Sequence, residues 1–203
     1  MQHAPSILAF DTSAAQCAAA LLCGDRLILK IEDMQKGQAE RLLPLLEELL
    51  AEADLDWGDL NALAVGTGPG NFTGVRIAVA AARGLAMALG IPAIGVTRLE
   101  ALAYGSPRPV SVVEDARRGE VYVQTFAVDG IGKARLAAAG SPGDLADLRV
   151  GSAVGLTAAL PLTEAMARIA AGRLGQAHPR PAPFYLRGAD AAPPSDPPPV
   201  ILP

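Results

Sequence analysis

One stretch limits what this chain can become: Gly66-Thr67-Gly68-Pro69-Gly70-Asn71-Phe72-Thr73-Gly74-Val75-Arg76. It follows the apolar run Ala62-Leu63-Ala64-Val65 and leads into an alanine-rich segment ending near Leu89. The order reads as strand, tight loop, helix. Glycines supply positive φ or close backbone approach, Pro69 sets φ within the turn, and Thr73 is the expected N-cap. Such a turn aims backbone N–H groups and the positive end of a helix dipole at one point, which suits an anion. The loop lacks the Gly-Lys-Ser/Thr ending of a P-loop. Nor does Gly66-Thr67-Gly68 continue as G-x-G-x-x-G, because position 71 is Asn. Phosphate binding and a plain strand-to-helix turn both stay open from this pattern.

At 203 residues the chain is long enough for one large domain or two small ones with a real core. Hydrophobic residues make up 51% and aromatics only 4%, so that core is built from Ala, Leu and Val. The formal net charge of -4 and a pI near 5.2, with no basic run, argue against autonomous nucleic-acid binding, which needs clustered Lys and Arg. Any RNA role would call for a basic partner. Cys17 and Cys23 lie on one expected hairpin without CxxC spacing, and His3 and His178 sit near the ends; buried free thiols are the expectation. The first residues carry no basic region ahead of their apolar stretch, so no signal peptide is expected. No apolar run approaches the ~20 residues of a membrane span, and a cytoplasmic location follows as the default.

In chain order, Ser6–Phe10 reads as a buried strand ending in Asp11-Thr12-Ser13, followed by strands over 16–22 and 26–32 with a Gly24-Asp25 turn. Asp11 at the strand end suits a metal–phosphate or hydroxyl contact; a turn carboxylate bonding local N–H groups is the alternative. Residues 38–53 read as a helix. Ala39, Leu42, Leu43, Leu46, Leu49, Leu50 and Ala53 form its apolar stripe, Leu45 lies off it, and Pro44 predicts a kink or a late start. The helix over 73–89 has only Arg76 and Arg83 as charges and is apolar nearly all round, so it must be covered on more than one side. A neighbouring helix and another protein both satisfy that requirement. A strand follows over 90–96, and Thr97 caps a helix through Ala103.

Gly105–Pro109 reads as a boundary, giving a first lobe over 1–105 and a smaller one over 106–187. The second opens with a hairpin, 110–113 and 121–128, whose turn is dense in charge. A short helix near 142–148, a strand over 150–154 and a helix near 163–175 complete it. Pro181–Arg187 is expected to dock in extended form, burying Phe184, Tyr185 and Leu186, and 188–203 reads as a disordered proline-rich tail. There is no zinc spacing, no Ser-His-Asp set and no Cys-His pair, hence no convincing catalytic constellation.

The chain resembles the TsaB (YeaZ-like) family, accessory proteins of bacterial tRNA threonylcarbamoyladenosine synthesis. The resemblance rests on Ile7–Ser13, Glu40–Pro44, Gly66–Arg76, Gly84-Leu85-Ala86, Asp115-Ala116-Arg117 with Glu120-Val121-Tyr122, and Pro183–Arg187. It implies an α/β, actin-like ATPase (ASKHA, ribonuclease H-like) fold in two lobes with mixed sheets and flanking helices. It also implies a non-catalytic relative of TsaD that pairs with TsaD or with itself through the first two helices, with TsaE joining. The catalytic relative carries His-x-x-x-His at the start of its first helix; here the stretch is Gly37–Arg41, with Gln38 and no histidine, so no metal site is expected.

On this reading Leu42, Leu46, Leu49, Ile77, Ala80, Arg83 and Gly84 are candidate partner contacts. Asp11, Thr12, Ser13, Gly68, Gly70 and Asn71 are the candidate nucleotide or phosphate loop. No cofactor is assigned to the chain itself, with ATP or ADP left to the assembled complex, and tRNA contact is indirect. The competing reading is a nucleotide-dependent ATPase or phosphotransferase working through Asp11, Thr12 and the glycine loop. A third, a glycoprotease-like hydrolase, lacks a metal-ligand or nucleophile set.

Overall fold

The computed structural model describes residues 4–188, so His3 and the tail expectation beyond 188 lie outside it. Strands β1 (Ser6–Asp11), β2 (Gln16–Cys23) and β3 (Arg26–Asp33) form an antiparallel meander. Helix α1 (Gln38–Glu52), strand β4 (Ala62–Gly66), helix α2 (Phe72–Leu89), strand β5 (Ala93–Val96) and helix α3 (Arg98–Ala103) follow. β4 pairs parallel to β1 and β5 parallel to β4, giving the order β3-β2-β1-β4-β5. Strands β6 (Val110–Asp115), β7 (Glu120–Phe126), β8 (Arg135–Ala138) and β9 (Leu148–Val150) build a second sheet, ordered β8-β7-β6-β9. That sheet repeats the plan of the first, two antiparallel returns and then a parallel strand, with the outermost parallel strand missing. Two mixed sheets of this order with flanking helices are the actin-like ATPase fold.

Alternation along β1 explains the layers. Leu8 and Phe10 face α1 and α2, joined there by Leu21, Leu63 and Val65, while Ile7 and Ala9 face the opposite side. That opposite side is covered by helix α4 (Leu162–Arg173), whose Ala165, Met166, Ile169 and Ala170 come from the far end of the chain. α3 and the second sheet share a third cluster around Leu99, Val112, Phe126 and Val150.

Several expectations shift. α1 buries Leu42, Leu45, Leu46, Leu49 and Leu50, so Leu45 is core, whereas Leu43 is 45% exposed. The stripe is rotated because Leu45 extends the set facing the sheet, displacing Leu43 and Ala39 to the far side. The helix starts at Gln38 and runs through Pro44, which sits on the exposed side. Residues 142–147 form no helix: Pro142-Gly143-Asp144-Leu145-Ala146-Asp147 has a glycine, two aspartates and no apolar face, and does not offset helix nucleation. The strand there is β9, two residues earlier than expected. β8 escaped notice because Arg135-Leu136-Ala137-Ala138 carries little strand propensity of its own.

Leu42, Leu46 and Leu49 are at most 1% exposed and therefore belong to the core, not to a partner surface. Leu46→Ala is expected to cost about 2–5 kcal/mol, read by urea denaturation, and Leu46→Asp to leave the protein unfolded. A soluble, wild-type-like Leu46→Asp protein would contradict this packing.

Candidate functional site: the glycine loop and the outer face of the second helix

The glycine loop is packed from beneath by the turn after β1. Thr12 Oγ1 donates to the Gly74 carbonyl at 2.6 Å, and the Asn71 amide donates to the Ser13 carbonyl at 2.7 Å. A Cβ at Gly74 would lie 1.9 Å from the Thr12 carbonyl oxygen, and one at Gly70 would lie 2.6 Å from that of Ser13. Glycine is required here for close approach. The helix cap is Asn71, not Thr73: its side chain accepts the Gly74 amide at 2.9 Å. Thr73 lies already inside the first turn.

The six proposed phosphate-loop residues do come together; Asp11 Oδ1, Thr12 and Ser13 bond within the turn or to α2, while Asp11 Oδ2 is buried without a hydrogen-bond partner among the described residues. Asp11 and Thr12 are fully buried and Ser13 nearly so, and Asp11 Oδ1 accepts both the Ser13 amide and hydroxyl, at 3.0 and 2.9 Å. Asp11 Oδ2 faces Gly66, where a Cβ would lie 1.9 Å from it. The Gly68 carbonyl accepts the Arg98 amide, and the Thr67 carbonyl accepts the amide of Phe184. The plain strand-to-helix turn is the reading this geometry favours. Burial pushes the Cys17 thiol up to about 11, with Glu32 adding to the shift, so it stays protonated and is a poor nucleophile at neutral pH.

The outer face of α2 is different. Val75, Ala78, Val79 and Ala82 pack on the sheet, leaving Ala80, Arg83 and Gly84 exposed, Ile77 half-buried and Met87 77% exposed. By length and composition α2, at 18 residues and mean hydropathy 1.4, has what a membrane-crossing helix needs, contrary to the expectation that no apolar run approaches that limit. Its exposed stripe recurs every three or four residues and holds mostly small or apolar side chains. Beside it, at the start of α1, a recess of about 270 Å³ is lined by Lys36, Gly37, Gln38, Asn71, Thr73 and Ile77. Gln38 donates to the Met34 carbonyl at 3.1 Å there.

On the flank toward β3, Arg41 bridges Glu32 and Glu48 at 2.6 and 2.7 Å. Its hydrogen bond holds the Glu48 carboxyl down at about 2. Stabilisation from Glu48 is therefore complete above the ordinary carboxylate range and fades as pH falls toward 2.

Comparison with known proteins decides the family. A family model described as TsaD, tRNA N6-adenosine threonylcarbamoyltransferase, matches residues 32–142. The structure of YeaZ from Pseudomonas aeruginosa superposes with a TM-score of 0.71 at 32% identity, over 90% of this chain and 100% of that one. This chain belongs to the TsaB/YeaZ family. The tRNA threonylcarbamoyladenosine biosynthesis protein TsaB of Escherichia coli K12 is 40% identical over 121 residues, 57% of this chain and 52% of that protein. The match thus spans about half the length of that curated relative. An uncharacterized protein of Mycobacterium tuberculosis H37Rv is 36% identical over 200 residues, 93% of this chain and 94% of its own.

Sequence reasoning missed one cluster of this TsaB-family chain. Phe72 and Tyr185, 47% and 44% exposed, stack with ring centroids 5.2 Å apart. The Arg76 guanidinium lies 3.7 Å from the Phe72 centroid, and its Nε donates to the Tyr185 hydroxyl at 2.9 Å. The extended segment 181–187 does dock, with Phe184 and Leu186 packed into the third cluster, but Tyr185 turns outward. Its alternation with Phe184 and Leu186 was the available signal, since neighbours in an extended chain point to opposite sides.

Proposed function

We propose that this chain is a non-catalytic scaffold and activator subunit that binds TsaD, together with TsaE. On this reading it serves threonylcarbamoyl transfer to the adenosine next to the anticodon in tRNAs reading ANN codons. The observation that carries the reading is Gly84. It sits inside an 18-residue helix, is exposed, and a Cβ added there would meet nothing within 4 Å. Glycine in a helix interior costs about 1 kcal/mol relative to alanine, and the fold of this chain offers no compensation for it. A second helix crossing closely at Gly84, between Ala80 and Met87, supplies the missing reason.

The match of residues 32–142 to the TsaD model adds a geometric argument. Two related lobes can pair about a pseudo-twofold axis through equivalent helices, and the same surface would serve a homodimer of the free protein. An ATPase or phosphotransferase reading draws no support from the buried Asp11-Thr12-Ser13 turn. Size-exclusion chromatography with light scattering, on the protein alone and with its cognate TsaD, tests the proposal. A self-dimer converting to a 1:1 heterodimer is the expected result; a monomer that ignores TsaD would overturn it.

A further inference from the structure

Most arginines of this protein are spent on partners within the fold. Arg41, Arg98, Arg168, Arg173 and Arg187 each meet a carboxylate, and Arg76 bonds the Tyr185 hydroxyl. Arg83 and Arg180 are exposed, and neither has a partner among the described residues. The two line one recess of about 290 Å³, with His178 beside them. Ala86, Ile91 and Pro92 supply an apolar wall, and no acidic side chain lines the recess.

Arg83 belongs to α2 and Arg180 to the segment after α4, so tertiary folding rather than local sequence sets them side by side. Two like charges in one recess repel each other, and in the free chain only water and salt screen them. Folding gains nothing from that arrangement, on a chain whose formal net charge of -4 offers carboxylates in excess. The recess also adjoins the exposed stripe of α2. Arg83 directly precedes Gly84, and Met87, 77% exposed, belongs to stripe and recess alike. A helix crossing closely at Gly84 would carry a side chain over the recess within about one turn of the crossing.

We propose that this recess receives a carboxylate carried by the partner helix that crosses α2 at Gly84. Guanidinium forks match a carboxylate in shape and charge, and the apolar wall takes the aliphatic stem while excluding water, which strengthens the attraction. The proposal rests on the TsaD-pairing reading and adds the chemistry of the partner's contact. A second copy of this chain is the poorer occupant. Helix α2 contains no Asp or Glu, so α2 crossing its own copy about a twofold axis at Gly84 sets Arg83 against Arg83 with no α2 carboxylate between them. One cationic recess thus favours the heterodimer and disfavours the self-dimer.

The test is sedimentation velocity of the protein and its variants, alone and with TsaD, over a salt series. The wild-type heterodimer is expected to weaken as salt rises and the self-dimer to tighten, because screening removes an attraction in one and a repulsion in the other. Arg180→Gln and Arg83→Gln should each weaken the heterodimer by about tenfold, while Arg180→Lys, which keeps the charge but not the fork, loses less. Arg83→Gln should also tighten the self-dimer by about two- to tenfold, a gain that no folding defect produces. Both side chains are exposed, so circular dichroism should show an unchanged fold. A wild-type protein that ignores TsaD would overturn the pairing reading and this proposal with it. A normal heterodimer that neither glutamine variant weakens would overturn the proposal alone. A self-dimer that loosens with salt and in Arg83→Gln would also overturn it, assigning the recess to a carboxylate of a second copy.

Discussion

Gly74→Ala is expected to lose more than about 4 kcal/mol, a large share of the roughly 5–15 kcal/mol that a folded domain has. The added Cβ would stand 1.9 Å from the Thr12 carbonyl oxygen, 2.9 Å from its carbon and 3.3 Å from the Ser13 Cα. All three are backbone atoms of a turn held at both ends by β1 and β2, so no rotamer change relieves the clash. Relief requires lifting the first turn of α2, which breaks the 2.6 Å bond from Thr12 to the Gly74 carbonyl and uncovers Val75 and Ala78. Urea denaturation followed by circular dichroism measures the loss. A midpoint near wild type would mean that the turn after β1 does not sit against α2.

Ten residues further along the same helix, the identical substitution has the opposite sign. Gly84→Ala should stabilise the protein by about 1 kcal/mol at concentrations too low for self-pairing, raising Tm by about 2–4 °C for a chain of this size. A larger side chain there, Gly84→Leu, enters open space in the monomer and should leave its fold intact. In a heterodimer with TsaD the same leucine would hold the crossing helix away, and the 1:1 species should vanish from light scattering. The two readouts separate stability from association: a folded Gly84→Leu protein that still forms the 1:1 complex would exclude this face as the interface. A Gly84→Ala protein with no gain in Tm would mean that the helix is not regular at that point.

Local rules made much of this chain legible in advance. Thr97 was readable as a cap because it precedes Arg98–Ala103 with Glu100 in place, and its hydroxyl does accept the Glu100 amide at 3.1 Å. The first three strands could be read from apolar runs broken at Asp11-Thr12-Ser13 and Gly24-Asp25, and the α2 segment from its length without a breaker. The cap at Asn71 was missed for a reason of the same local kind: both Asn and Thr make caps, and only the path of the chain into the helix selects between them. The α1 stripe failed at Leu45, Leu43 and Ala39 because a helix with six leucines has two defensible apolar faces. The sheet chose the face containing Leu45.

What the amino-acid order determined by itself was the sequence of elements as far as α3, the need for glycine in the 66–74 loop, and a second helix too apolar to be open on all sides. Each follows from periodicity, φ preference or composition within a few residues. Only the tertiary structure decided what fills the glycine loop. A phosphate and a neighbouring backbone turn call for the same small residues and the same N–H groups, and the packed Thr12-Ser13 turn distinguishes them. It also decided which apolar positions are core and which are surface, placing Leu42, Leu46 and Leu49 inside and Ala80, Gly84 and Met87 outside. Finally, it stacked Tyr185 on Phe72 beside Arg76, a proximity across more than a hundred residues of chain that no local pattern encodes.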